Sequence, residues 1–142
     1  MLMSDNPYIK RINPATLAAP TGYTHVVEVN GPARMIYLAG QVAFNERREV
    51  VGVGDMAAQA EQVYRNLQAA LAAAGASFTD VVKMTTYVTD MSQAPAARAV
   101  RARYFGETLP ANTLVQVTSL AQPDLMLEIE VVAACKPAES NL

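Results

Sequence analysis

Apolar and polar positions alternate over residues 110–134, PANTLVQVTSLAQPDLMLEIEVVAA. A period of two marks a strand with one face on a core. In the second half, Leu125, Leu127, Ile129, Val131 and Ala133 share one face, and Met126, Glu128, Glu130, Val132 and Ala134 the other. Same-face neighbours lie roughly 6.5–7 Å apart along a strand, so the two carboxylates are adjacent without touching. In the first half, Leu114, Gln116 and Thr118 point one way and Thr113, Val115 and Val117 the other. A Pro-containing connection joins the two strands.

Upstream, residues 24–30 (THVVEVN) alternate as a first strand. Residues 35–43 (MIYLAGQVA) read as a second, apolar enough for burial on both sides. Gly40 interrupts it, as a bulge or a close backbone approach does. Residues 49–53 form a short third strand in this reading. Three- and four-residue spacing takes over at 55–74, where Ala60, Val63, Leu67, Leu71 and Ala74 make one stripe. Asp55 stands in the N-cap position and Gly75 just past the end. Residues 81–88 (VVKMTTYV) are a strand rich in β-branched residues. A second helix is capped by Ser92, tolerates Pro95 in its first turn, turns Ala96, Val100 and Tyr104 inward and ends at Gly106. The order β-β-(β)-α-β-α-β-β predicts one α+β domain over residues 1–142, a six-stranded mixed sheet with two helices on one face. Residues 1–20, with Pro7, Pro14 and Pro20, form an irregular or edge segment.

The sheet's second face then needs an account. Leu114, Met126, Val132 and Ala134 sit there among Gln116, Thr118, Glu128 and Glu130. A mixed face of this kind suggests burial against another subunit, and a ring of identical chains would cover it.

Composition narrows the partners. Hydrophobic residues make up 51% and charged residues 17%, a globular balance. A net charge of -2, with no basic run longer than Arg47-Arg48, argues against nucleic acid. No stretch approaches the roughly 20 apolar residues that span a bilayer, and the first ten lack the apolar run of a signal peptide. The single cysteine, Cys135, excludes an internal disulfide and suits a reducing cytoplasm. The single histidine, His25, has no Cys or His cluster around it, so no metal is expected.

Several segments carry a resemblance when taken in order: Pro20-Thr21-Gly22-Tyr23-Thr24-His25, Ala39-Gly40-Gln41, 82–90 (VKMTTYVTD), Pro110-Ala111 and Glu128-Ile129-Glu130. Together they resemble the RidA/YjgF family of reactive-intermediate deaminases over nearly the whole chain. The resemblance implies a chorismate-mutase-like YjgF fold. It also implies a homotrimer whose sheets pack inward as a barrel, with three clefts between subunits. The implied ligand is a small amino- or keto-acid-like metabolite, and the implied chemistry is hydrolysis of an enamine or imine with no cofactor.

The same resemblance assigns the site. Glu128 corresponds to the acid that positions water, Tyr23 to a cleft hydroxyl, Gly40 to a backbone N–H donor, Tyr87 to an aromatic wall and Arg98 to a cleft-facing helix position. Three positions depart from the pattern. Asn112 stands where deaminating members place an arginine, Leu114 where cysteine is common, and Ala39 where a small hydroxyl residue is expected. The connection before Glu128 is also one residue longer than expected. A guanidinium grips a carboxylate through two parallel charge-assisted hydrogen bonds, and asparagine cannot. Arg98 is the candidate substitute; Arg101 and Arg103 read as a solvated face. His25, Glu130 and Cys135 read as structural. Three functions stay open: deamination of a reactive enamine or imine, hydrolysis of another small and uncharged substrate, and non-enzymatic metabolite binding or protein stabilisation. A ribonuclease role finds no basic patch or catalytic histidine to support it.

Overall fold

A computed structural model describes residues 6–138. Six strands and two helices follow in order: β1 (Ile9–Ile12), β2 (Val26–Val29), β3 (Arg34–Gln41), α1 (Met56–Ala73), β4 (Val81–Val88), α2 (Ala94–Phe105), β5 (Ala111–Gln116) and β6 (Leu127–Cys135). The mixed sheet has the order β3-β6-β4-β5; β1 and β2 form a separate antiparallel ribbon. Residues 49–53 make only an isolated bridge, Phe44 to Val50, and no strand. Gly52 and Gly54 there take positive φ, which breaks the extended run. The sixth strand is instead β1, inside the stretch expected to be irregular or an edge, and because β1 and β2 pair only with each other the mixed sheet has four strands, not the six expected.

Both helices lie on one sheet face. The stripe on α1 is as expected, with Ala60, Val63, Leu67 and Leu71 buried, and it gains Met56, Gln59 and Tyr64. Asp55 caps α1 by accepting from the Ala58 amide at 3.1 Å. Gly75, at φ 77°, ends it. The start of α2 differs from the expectation. Asp90, not Ser92, is the cap of a short turn at Met91–Gln93, accepting from both the amide and the hydroxyl of Ser92. Burial on α2 runs through Ala94, Ala97, Val100 and Phe105, with Ala96 and Tyr104 at the margin. Tyr104 stacks on Tyr64 at 5.3 Å, joining α2 to α1.

The alternation of β6 holds: Leu127, Ile129, Val131 and Ala133 are buried against the helices, Glu128 is half-buried and Glu130 exposed. Further expectations about the sheet fail. β3 is an edge strand paired only with β6, so it is not buried on both sides: Met35 is 43% and Tyr37 75% exposed. In β5 the alternation is right and the side is reversed. Parallel pairing sets Asn112 beside buried Met84 and Leu114 beside buried Thr86, so these two face the helices. Thr113 and Val115 occupy the open face, where Lys83 Nζ donates to Thr113 Oγ1 at 3.0 Å. Met126 likewise packs against the core.

The ribbon is pinned to the ends of the sheet strands. The Asn6 side-chain Nδ2 donates to the Ala134 carbonyl at 2.7 Å, and Arg11 to the Leu109 and Thr79 carbonyls. The Thr24 amide and hydroxyl bond the Pro110 and Leu109 carbonyls, which places Gly22 and Tyr23 at the start of β5.

Candidate functional site

The chain carries two clusters of the expected site residues, on opposite faces of the sheet. On the open face, the β3–β6 register breaks between Leu38 and Gln41, so Ala39 and Gly40 leave the ladder. Glu128 on β6 lies against that break. A methyl group at Gly40 would fall 2.7 Å from Glu128 Oε2, so only glycine lets the carboxylate rest there unmoved. Tyr87 pairs in register with Glu128, and its hydroxyl donates to Glu130 Oε1 at 2.9 Å. That bond, with the charge of Glu130 and Glu128 nearby, holds the Tyr87 phenol above its ordinary pKa and keeps it a neutral donor. The two acids are thereby distinguished. Glu130 holds Tyr87, whereas Glu128 accepts no side-chain hydrogen bond among the described residues.

On the helix face, a recess of about 20 Å³ opens between α2 and the edge strand β5, room for about one water. Arg98, Arg101, Asn112, Thr86 and Tyr64 supply its polar groups; Leu114, Val88 and two α2 alanines supply its apolar wall. The Thr86 hydroxyl donates to Asn112 Oδ1 at 3.3 Å. Burial pushes the Tyr64 phenol far up, so it too stays neutral.

Arg101 departs from its expected place on a solvated face. It is half-buried, it lines the recess, and its guanidinium occupies the space a side chain at Gly22 would need, at a residue whose φ is 80°. The sequence held a signal for this. Ala94, Ala97 and Arg101 follow three- and four-residue spacing, so Arg101 continues the buried stripe of α2. Arg103 does face solvent and pairs with Glu61 at 3.1 Å.

Tyr23 is half-buried beside Gly22 and meets His25 edge-on at 5.1 Å. His25 Nε2 lies 2.7 Å from the Ala18 carbonyl, so the ring is engaged with the backbone. Cys135 is buried and accepts from Arg34 at 3.1 Å. Among the described residues no three His, Cys, Asp or Glu side chains cluster as metal ligands, and no helix is long and apolar enough to cross a membrane.

Residues 14–135 match the family model described as Endoribonuclease L-PSP. The chain belongs to the RidA/YjgF family. Its α+β architecture, two helices on a mixed sheet, is that of the YjgF fold. The crystal structure of the Rid-family protein YyfB from Yersinia pestis is 40% identical and superposes with a TM-score of 0.80, over 89% of this chain and 98% of that one. Among curated relatives, 3-aminoacrylate deaminase RutC of Acinetobacter baylyi is 38% identical over 70% of this chain and 78% of its own. The 2-iminobutanoate/2-iminopropanoate deaminase of Dermatophagoides farinae is 32% identical over 87% of this chain and 94% of its own. In this structure Gly40 and Glu128 lie together on the open face, and Asn112, Leu114 and Arg98 line the recess. One chain does not bring the two groups together.

Proposed function

We propose that this RidA/YjgF protein binds a small reactive enamine or imine and hydrolyses it, with each site shared between two copies of the chain. The observation that carries the reading is the division just described: the unengaged acid and the cationic recess lie on opposite faces of one sheet. A homotrimer with the open faces turned inward would bring the acid of one copy to the recess of the next. Exposed Met35, Tyr37 and Val115 on the open face favour such burial.

In the proposed reaction an enamine first takes a proton at its terminal carbon and becomes an imine. Glu128 takes a proton from a water, whose oxygen bonds to the imine carbon, and passes that proton to the nitrogen as the C=N double bond becomes single. In the resulting carbinolamine Glu128 takes the hydroxyl proton and hands it to the nitrogen, so the C–N bond breaks, ammonia leaves and a carbonyl product remains. Gly40 presents its amide to the substrate, Tyr87 and Ala39 bound the acid side, and Tyr23, Asn112 and Leu114 shape the other. The Asn112 amide by itself suits an uncharged carbonyl or amide substrate, but the two guanidiniums beside it favour an acid.

The test uses 2-aminoacrylate generated in situ by an amino-acid dehydratase and trapped with semicarbazide. Trappable imine is expected to disappear faster with the protein than in buffer; equal rates would set the deaminase reading aside. Light scattering in solution is expected to give a trimer mass, and a single-chain mass would remove the shared site. Gly40→Ala is expected to lower kcat/KM by about 10–100-fold, because the added methyl displaces the Glu128 carboxylate. Its melting temperature should barely change, since the displaced atoms end a flexible side chain that no hydrogen bond among the described residues holds. Undiminished turnover would detach Gly40 from the site.

A further inference from the structure

We infer that Arg101, with Arg98 beside it, is the anion anchor of this chain, gripping the carboxylate of a small 2-oxo or 2-imino acid from the helix side of the recess. The inference rests on the reading that the recess receives the substrate's head.

Five observations support it. Arg101 Nε is buried and has no hydrogen-bond partner among the described residues. The ion pairs among those residues, Arg65–Glu61 and Arg103–Glu61, leave out both Arg98 and Arg101. No acid lines the recess, although two guanidiniums do. The Thr86 hydroxyl takes up Asn112 Oδ1, which leaves the Asn112 Nδ2 hydrogens available to a ligand. Burial, with Arg98 adding to it, depresses the Arg101 pKa, which marks a cation held without its counter-charge. An arginine remains charged under such pressure, so the strain is relieved by an anion and not by loss of the proton.

The small volume and mixed wall select the kind of anion. Thr86, Asn112 and the guanidiniums form the polar side, and Leu114, Val88 and Ala97 the apolar side. A recess with room for about one water takes only the carboxylate end of such a ligand and leaves its short carbon chain at the mouth. Arg98 and Arg101 stand at i and i+3 on α2, so they reach the same ligand from one helix face. The anchor thus comes from α2, across the recess from the strand position held by Asn112.

Thermal unfolding with 2-oxobutanoate and with its uncharged methyl ester tests the assignment. The acid is expected to raise the melting temperature of the native protein, and the ester to raise it far less. In Arg101→Met the dissociation constant for the acid, obtained from the concentration dependence of that rise, should increase by about tenfold or more. The ligand-free variant should unfold no earlier than the native protein, because an unpaired buried charge has been removed. Equal protection by acid and ester, an unchanged dissociation constant, or a lowered ligand-free melting temperature would each overturn the anchor. If Arg101→Met does not fold, Arg101→Gln carries the same comparison. These are equilibrium readings with a non-reacting acid. Arg101-dependent protection without imine hydrolysis would remove the catalytic reading and keep the anchor; hydrolysis with protection unchanged in the variant would do the reverse.

Discussion

Exchanging Glu128 for glutamine is expected to slow imine hydrolysis by a factor of about 10²–10⁴ while leaving the affinity for 2-oxobutanoate nearly unchanged. The change keeps the size of the side chain and removes its ability to accept a proton from water. Glu128 is the acid to choose because Glu130 is occupied by the Tyr87 hydroxyl at 2.9 Å, and Glu128 has no such engagement among the described residues. Stability should hardly respond, since the carboxylate is half-buried beside a glycine and carries no bond that the fold depends on. Glutamine at Glu130 should have a far smaller effect on turnover, because it can still accept from Tyr87. A shared site adds a sharper expectation. Co-expression of Glu128→Gln with Arg101→Met should restore activity in about a quarter of the sites of a mixed ring, those that take the acid from one variant and the guanidinium from the other. Turnover in the mixture no higher than in either variant alone would place both residues on one copy or outside the site.

The sequence was most legible where one chemical rule acts on a local stretch. The Asp55 cap, the α1 stripe and the two-residue alternation of β6 follow from neighbours within a turn or a strand, and all three stand. Local pattern fails where a distant partner decides. Alternation in β5 told which residues share a face but not which face meets the helices. The parallel register with β4 decides that, and it turns Asn112 and Leu114 inward. Residues 35–43 are apolar enough for a central strand, yet β3 lies at the sheet edge with Tyr37 exposed. The apolar character of that edge has an account only if another surface covers it. Arg101 shows the same limit from the other side. Charge suggested solvent, whereas position on the helix, one step beyond Ala94 and Ala97, decided burial. The acid and the glycine were recognisable through the family resemblance; their contact depends on a bulge that no local spacing announces.

Gln59 carries the largest expected effect on stability. It lies on the inner face of α1, fully buried, and polar enough that its burial needs a reason. Its Nε2 donates to the Asp124 carbonyl at 2.7 Å and to the Gly52 carbonyl at 3.2 Å, and its Oε1 accepts from the Met126 amide at 2.9 Å. One side chain therefore satisfies three backbone groups, two of them in the connection that leads into β6. Gln59→Leu keeps the approximate volume, excludes water and leaves those groups without partners. The expected cost is about 2–4 kcal/mol, since each buried group stripped of its bond loses more than the bond's net worth. For a chain of this size that is a fall in melting temperature of about 10 °C, read by calorimetry. A loss below about 0.5 kcal/mol would mean that the connection is held by something else. The same variant bears on function. Met126 is two residues before Glu128, so freeing the connection loosens the start of β6 and the placement of the acid against Gly40. Turnover should then fall further than the folded fraction accounts for, even at temperatures well below the transition. A fall that merely tracks the folded fraction would show that the β3–β6 ladder alone holds Glu128 in place.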